Sequence, residues 1–264
     1  MEDPEAATPG RYRAIVAYDG TAYSGFQIQP RRPTIQGALE QALQRATQQA
    51  VRVQGAGRTD AGVHAHGQVI SFSCRWAHGV QVLQRAMNAL LPVDIAVREM
   101  AVAPEAFHAR FSATARTYLY TMYESAVRVP TLDRYAHRMP GALDADALQG
   151  AAKALLGEHD FAALGQPTVG DSSVRRVLRA EWLLRPLEED GWCGEAAERF
   201  YRFRIEANGF LRGMVRRAVG TLLEVGQGVR TVDSFRDFLA SRDISQAAPP
   251  APACGLCLWR VAYR

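Results

Sequence analysis

Hydrophobic residues in the first hundred positions follow two different spacings, one typical of strands and one typical of helices. Segments rich in β-branched and aromatic residues predict strands over 12–18, 51–53, 69–72 and 95–102. Apolar residues three and four positions apart predict helices over 35–46 and 80–91, the first capped by Thr34 and the second ended by Pro92. The predicted order of elements in this half is therefore β-α-β-β-α-β.

The second half of the chain repeats this order without a strong sequence repeat. Strands are predicted over 115–123, 174–184, 200–207 and 256–263, and helices over 147–156, 214–223 and, more briefly, 235–239. Segments 124–143, 157–173 and 244–254 contain many turn formers and are predicted to be loops. Because β-α-β-β-α-β is the split βαβ order, the sequence predicts an α+β fold of two ferredoxin-like units, with antiparallel sheets side by side and a central cleft.

Length and composition agree with this organisation. The chain has 264 residues, which at roughly 150 residues per domain suggests about two domains. We predict a disordered tail over 1–10, an N-terminal α+β domain over 11–105 and a C-terminal α+β domain over 106–264. The apolar stretches are too short to span a membrane. Four cysteines are too few for a disulfide scaffold and favour the cytoplasm.

The charge of the chain gives only a weak indication of its partners. The 31 basic and 27 acidic residues leave a net charge of +4, which permits a polyanionic partner without requiring one. Arginine and aromatic residues alternate in two predicted strands, over 116–120 and 199–204. Such strands occur on RNA-binding sheets, where rings stack on bases, but ordinary strand amphipathicity explains the pattern equally well.

The most unusual local feature is a glycine-rich run over 55–67, in the connection between two predicted strands. It contains four glycines together with Arg58, Asp60, His64 and His66. Glycines let a backbone approach a ligand closely, and a carboxylate held beside an arginine in such a loop can act as a nucleophile. The alternative is a tight turn in which Asp60 accepts hydrogen bonds from backbone N–H groups.

The histidines of this run invite a metal-site interpretation that the spacing does not favour. His64 and His66 would share a strand face, and Cys74 or His78 could add a ligand, but no carboxylate or cysteine at a typical spacing completes the set. The pair Cys254 and Cys257 has no second pair and is expected to be two ordinary thiols. We therefore predict no metal.

Arginines cluster at the last long helix. Arg212 and Arg216 are four residues apart, so they are predicted to share one helix face near its N-terminus. A solvated basic face is the simplest explanation. Cations are unfavourable at that end of a helix dipole, however, and residues placed against local preference suggest a functional role.

Several of these segments together resemble a known family. The run Gly-Arg-Thr-Asp-Ala-Gly-Val-His-Ala at 57–65 resembles the active-site motif of the TruA-type tRNA pseudouridine synthases. Four other stretches agree with the family in the same order: 18–21 with 25–27, 34–37 with 39–40, 107–111, and 208–212 with 214–216. The pattern departs after Asp160 and Phe161, where the chain has Ala163-Leu164 in place of the Ser-Phe that is frequent in the family.

The resemblance implies a homodimeric enzyme without a cofactor. Its reaction would isomerise uridine to pseudouridine at positions 38, 39 and 40 of the tRNA anticodon stem-loop. By position, Asp60 resembles the nucleophile, Arg58 its neighbour, Tyr118 the ring that packs on the target base, and Arg216 the partner of the nucleophile. Arg212 is expected to contact the RNA.

The chemistry explains why such residues are needed. The reaction breaks the N1–C1′ bond, turns the uracil and rejoins it through C5, so no atom is gained or lost. Asp60 could attack C6 or C1′, or act as a base on the sugar, and it must be ionised in each case. The target base must leave its stack, at a cost of a few kcal/mol. Stacking on Tyr118 would offset part of this cost, and Arg58 could occupy the vacated space.

Two functions from other classes remain open on the sequence alone. A non-catalytic protein with two RNA-binding domains would bind the same RNA without modifying it. A metal hydrolase that uses His64 and His66 would lose its activity in the presence of a chelator.

Overall fold

A computed structural model describes residues 9–167, 170, 172–186 and 199–264 of the protein. The chain forms two compact units, one of Met1–Thr114 with Leu258–Arg264 and one of Ala115–Cys257. Both units combine helices with strands, so the predicted mixed α and β class is confirmed. Most of the tail predicted over 1–10 lies outside the described residues, and Gly10 already belongs to the first strand. Among the described residues, no helix is long and apolar enough to cross a membrane.

The first unit contains the predicted helices and three of the four predicted strands. Its elements are β1 (Gly10–Tyr18), α1 (Ile35–Thr47), β2 (Gln54–Gly55), β3 (His64–Cys74), α2 (Val80–Leu90) and β4 (Ile95–Val102). Thr34 caps α1 as predicted, because its side chain accepts a hydrogen bond from the Gly37 N–H. Strand β1 pairs antiparallel with both β3 and β4. Its pairing with β3 shifts register between Val16 and Tyr18.

The predicted strand over 51–53 is wrong, and helix α1 explains why. The Val53 N–H donates to Glu40 Oε1 at 3.0 Å, and the Val53 carbonyl accepts from Gln36 Nε2 at 3.0 Å. Side chains of α1 therefore satisfy the backbone groups that a neighbouring strand would otherwise pair. The strand begins only at Gln54, where β2 pairs with β3.

The second unit carries the remaining predicted elements and some short ones. They are β5 (Ala113–Glu124), α3 (Pro130–Asp133), β6 (His137–Met139), α4 (Ala145–Lys153), β7 (Gly157–Asp160), β8 (Val174–Pro186), β9 (Arg199–Ala207), α5 (Met214–Gly226) and α6 (Val232–Ser241). The last predicted strand is β10 (Leu256–Tyr263), which from Leu258 onwards belongs to the first unit. The segments 124–143 and 157–173 are not entirely loops, because β6 pairs with β5 and β7 pairs with β8.

Within each unit the strands form an ordered sheet. The order in the first unit is β4-β1-β3-β10, with β2 also paired to β3, and the order in the second is β5-β9-β8-β7. On β9 the rings of Tyr201 and Phe203 are fully buried, and the ring centroids of Phe203 and Trp182 are 4.9 Å apart. The alternation over 199–204 is therefore that of an amphipathic strand, and these two rings belong to the core.

Candidate active site

The glycine-rich run spans the end of β2, the loop over 56–63 and the start of β3 in the first unit. Arg58 and Asp60 are both exposed on it, whereas Thr59 between them is only 6% exposed. The Val63 N–H donates to the Asp60 carbonyl at 3.2 Å and closes the turn. The loop thus presents a cation and a carboxylate to solvent on either side of a buried threonine.

A buried hydrogen-bond network fixes the residues that flank Arg58. The Gly57 N–H donates to Gln68 Oε1 at 3.2 Å, and Gln68 Nε2 donates back to the Gly57 carbonyl at 2.7 Å. The hydroxyls of Tyr18 and Thr59 are hydrogen-bonded at 2.8 Å. Tyr18 and Gln68 lie on strands, so the loop is tied to the sheet beneath it.

The segment after β1 packs against the same loop. The Phe26 N–H donates to the Thr59 carbonyl at 3.0 Å, and the Gly62 N–H donates to the Tyr23 carbonyl at 3.3 Å. A side chain at Gly25 would place its Cβ 2.7 Å from the Thr59 carbonyl oxygen, so this close approach requires glycine. The motif segments over 18–21 and 25–27 therefore help to support the loop.

The two histidines of the run have different partners. His64 is buried, accepts the Gly20 N–H on Nδ1 at 3.1 Å and lies 3.2 Å from Asp19 Oδ1. His66 is exposed, and its ring stacks on Trp259 with centroids 4.2 Å apart. Across the described parts of the chain, no group of three or more His, Cys, Asp or Glu side chains is arranged to hold a metal ion.

Tyr118, the aromatic candidate, lies on β5 of the second unit. It is 8% exposed, and its ring meets Phe210 edge to face with centroids 5.2 Å apart. The neighbouring Arg116 donates to the Asn208 carbonyl at 2.9 Å. The segment 208–212 therefore packs directly against the strand that carries Tyr118.

The prediction that Arg212 and Arg216 share a helix face is wrong. Helix α5 begins at Met214, and the residue before it, Gly213, has a φ of +73° that breaks the helical path. The Arg212 N–H instead donates to the Gln166 carbonyl at 2.9 Å, in an isolated β-bridge. Arg216 does lie in the first turn of α5, and its Nε donates to the Ala251 carbonyl at 2.7 Å.

Sequence reasoning gave no role to Arg110, which follows the first unit's β4. Burial, and then the positive charge of Arg58, lower the pKa of Arg110. Its guanidinium lies 5.7 Å from the ring centroid of Phe111, which is 72% exposed. The only signal in the sequence was that Arg110 lies within the family-like segment over 107–111, and this resemblance did not indicate a role for it.

Comparison with known proteins identifies the family. A family model described as tRNA pseudouridine synthase matches residues 14–112 and 151–264. The chain is 43% identical over 255 residues to "tRNA pseudouridine synthase A" of Geobacillus kaustophilus (strain HTA426), covering 96% of this chain and 94% of that protein. It is 44% identical over 255 residues to the protein of the same name from Chloroflexus aurantiacus (strain ATCC 29366 / DSM 635 / J-10-fl), covering 94% and 87%.

The chain therefore belongs to the tRNA pseudouridine synthase family. The predicted class of enzyme, an isomerase that converts uridine to pseudouridine, is thereby confirmed. The resemblance that the sequence motifs indicated is confirmed as well.

Proposed function

We propose that the protein isomerises uridine to pseudouridine at positions 38, 39 and 40 of the tRNA anticodon stem-loop, with Asp60 as the nucleophile. The observation that carries this proposal is the exposed carboxylate of Asp60 on a loop whose neighbouring residues are held by buried hydrogen bonds. Family membership supports the reaction, and tRNA is the substrate that the relatives' name gives for them.

The proposed reaction balances within the nucleotide. The N1–C1′ bond breaks, the uracil turns, and a C5–C1′ bond forms while N1 gains a proton and C5 loses one. Asp60 would add to C6 or to C1′ and leave again at the end, so the enzyme is restored without another reactant. An exposed carboxylate is suited to this role because a nucleophile must reach the substrate.

The other site residues would assist in distinct ways. The target uridine would be flipped out of its stack, and the Tyr118 ring would stack on it while Arg58 fills the vacated space. The Tyr118 hydroxyl would transfer the proton that leaves C5. A close guanidinium favours the ionised form of a carboxylate, which is the role we assign to Arg216. Arg212, exposed before α5, would contact phosphate.

The assembly and setting of the enzyme complete the proposal. We propose that it acts as a homodimer in the cytoplasm, where tRNA is available, and that both units are variants of the ferredoxin-like fold. The order of elements and the β4-β1-β3 pairing of the first unit support the last point.

The experiment is the Asp60→Asn variant, assayed on anticodon stem-loop RNAs with a single uridine at position 38, 39 or 40. Asn keeps the shape of the side chain but removes its charge, so we expect pseudouridine formation to disappear while RNA affinity stays within a few-fold. Asp237→Asn, which makes the same change at an exposed position on α6, is the matched control and should remain fully active.

The same assay separates the other functions considered from the sequence. A non-catalytic RNA-binding protein would bind these RNAs without forming pseudouridine. A metal hydrolase would form no pseudouridine, and full pseudouridine formation in the presence of a chelator would exclude a role for a metal. Pseudouridine formation by Asp60→Asn at the wild-type rate would remove Asp60 as the nucleophile.

A further inference from the structure

Three polar side chains are buried beneath the loop that carries Arg58 and Asp60. Tyr18 is 5% exposed, Thr59 is 6% exposed and Gln68 is fully buried. They come from the end of β1, from the loop and from β3. The reaction proposed above uses no amide or hydroxyl group from these three residues. Any contribution that they make to it is therefore indirect.

Gln68 pairs with the loop backbone as a neighbouring strand would. Its amide accepts from the Gly57 N–H at 3.2 Å and donates to the Gly57 carbonyl at 2.7 Å. A neutral amide is suited to this because it offers a donor and an acceptor in one plane. Gln68 itself stands opposite Val16 in the pairing of β3 with β1. The position of Gly57 is therefore set by the sheet.

Tyr18 extends the network to the residue before Asp60. Its hydroxyl is hydrogen-bonded to Thr59 Oγ1 at 2.8 Å and accepts from Gln68 Nε2 at 3.4 Å. Tyr18 is the last residue of β1 and lies at the register shift between β1 and β3. Gly57 and Thr59, on the two sides of Arg58, are thus joined through Gln68 and Tyr18.

We infer that Tyr18, Thr59 and Gln68 are positioning residues that fix the direction of the Asp60 carboxylate and the Arg58 guanidinium. This inference rests on the proposed role of Asp60. Leaving a buried polar group without a partner costs about 1 to 3 kcal/mol, so the network favours the one loop conformation in which all its hydrogen bonds form. A displacement of a reacting group by about 1 Å can slow a reaction by roughly 100-fold.

The test uses variants that remove hydrogen bonds with little change of shape: Tyr18→Phe, Thr59→Val and Gln68→Met. We expect the single-turnover rate at saturating RNA to fall by roughly 10- to 100-fold, with the RNA dissociation constant changed by less than about threefold. Thr59→Ser keeps the hydroxyl and should restore most of the rate. The double variant Tyr18→Phe/Thr59→Val should lose less than the product of the two single losses, because both partners of one hydrogen bond are removed together.

Matched controls separate positioning from general destabilisation. Tyr12→Phe makes the same change on the same strand, in a buried ring stacked on Phe72. Thr221→Val makes the same change at a fully buried threonine of α5 that is hydrogen-bonded to the Arg217 carbonyl. Both controls should keep the wild-type rate, even where thermal unfolding shows a loss of stability.

The outcomes distinguish this inference from the proposed function. If Asp60→Asn is inactive but the three variants keep the wild-type rate, the positioning role is overturned and the nucleophile stands. Equal rate losses in Thr59→Ser and Thr59→Val, or in the controls, would also overturn it. If Asp60→Asn remains active, both proposals fail.

Discussion

Replacement of Gly25 by alanine is a stringent test of how the loop is held. Gly25 has a φ of +100°, and a Cβ there would lie 2.7 Å from the Thr59 carbonyl oxygen and 3.2 Å from the Asp60 carbonyl carbon. Two separate penalties therefore act at one position. One is backbone strain, and the other is a collision with the backbone that carries the proposed nucleophile.

The expected magnitude follows from these two penalties. A side chain in this region of φ costs about 1 to 3 kcal/mol, and overpacking costs about 1 to 3 kcal/mol. The free energy of unfolding should therefore fall by roughly 2 to 6 kcal/mol, less the few tenths gained from a stiffer unfolded chain. The Thr59 carbonyl must also shift by a few tenths of an ångström, so the single-turnover rate should fall as well.

Substitutions at three other glycines separate the effect of backbone strain on stability from the effect of the collision. Gly228 has a φ of +71° and open space around it, so Gly228→Ala measures the strain alone. At Gly20 a Cβ would meet the Val63 carbonyl oxygen at 2.0 Å without a left-handed φ, so Gly20→Ala shows the effect of a backbone collision without strain, and of a closer collision than the one at Gly25. Gly141 has neither constraint, and Gly141→Ala should be neutral or slightly stabilising.

The assay is urea unfolding of the full chain for all four variants, together with pseudouridine formation under single-turnover conditions. We expect Gly25→Ala to be less stable than Gly228→Ala and to be slower than it at saturating RNA. The reasoning is refuted if Gly25→Ala matches Gly141→Ala in both stability and rate.

Two further predictions concern titrating groups. The hydrogen bond from the Tyr123 hydroxyl, and then the contact with Arg128, lower the pKa of Asp133. This carboxylate therefore stabilises the fold above about pH 4 and loses its contribution as the pH falls through its folded-state pKa. Asp133→Asn should lower the free energy of unfolding at pH 7 by about 1 kcal/mol, and its difference from the wild type should shrink below about pH 4 in urea titrations; a constant difference would contradict this. His66 is exposed as a residue, but its ring is partly desolvated; this desolvation, and then the charge of Arg98, lower its pKa. Arg98→Gln should therefore raise the pKa of His66 part of the way towards its ordinary value in an NMR titration, and an unchanged pKa would exclude the charge effect.

Regular periodicity made most of the fold predictable. The spacing of apolar residues was sufficient to predict long amphipathic helices such as α1 and α2. It was also sufficient for strands in which apolar and polar residues alternate, such as β4. The strand over 51–53 was predicted wrongly because side chains of α1, which are distant in sequence, satisfy the Val53 backbone. Elements of three or four residues, such as β6 and β7, are too short to show a period.

The candidate site was predictable only in part, for a related reason. Asp60 and Arg58 stand out because a glycine-rich run with opposite charges is unusual in any sequence. Tyr18 was noted only as the end of a predicted strand and the start of a family-like stretch, and Gln68 was not singled out at all. Their hydrogen bonds depend on the register between β1 and β3 and on its shift near Tyr18. Arg212 was wrongly placed on the helix because the helical spacing of the sequence continues through Gly213, whereas the helical backbone begins only at Met214.

The contribution of the last strand to the first unit affects how the chain can acquire its structure during synthesis. Leu258–Arg264 belong to that unit, where the Tyr263 hydroxyl donates to the Ala109 carbonyl at 2.7 Å and Trp259 covers the ring of His66. A ribosome produces these residues only after the whole second unit has been made. The first unit must therefore wait, with one edge of β3 incomplete, until Leu258–Arg264 have been synthesised, and a chain that stops before Leu258 would lack part of the unit that carries Asp60.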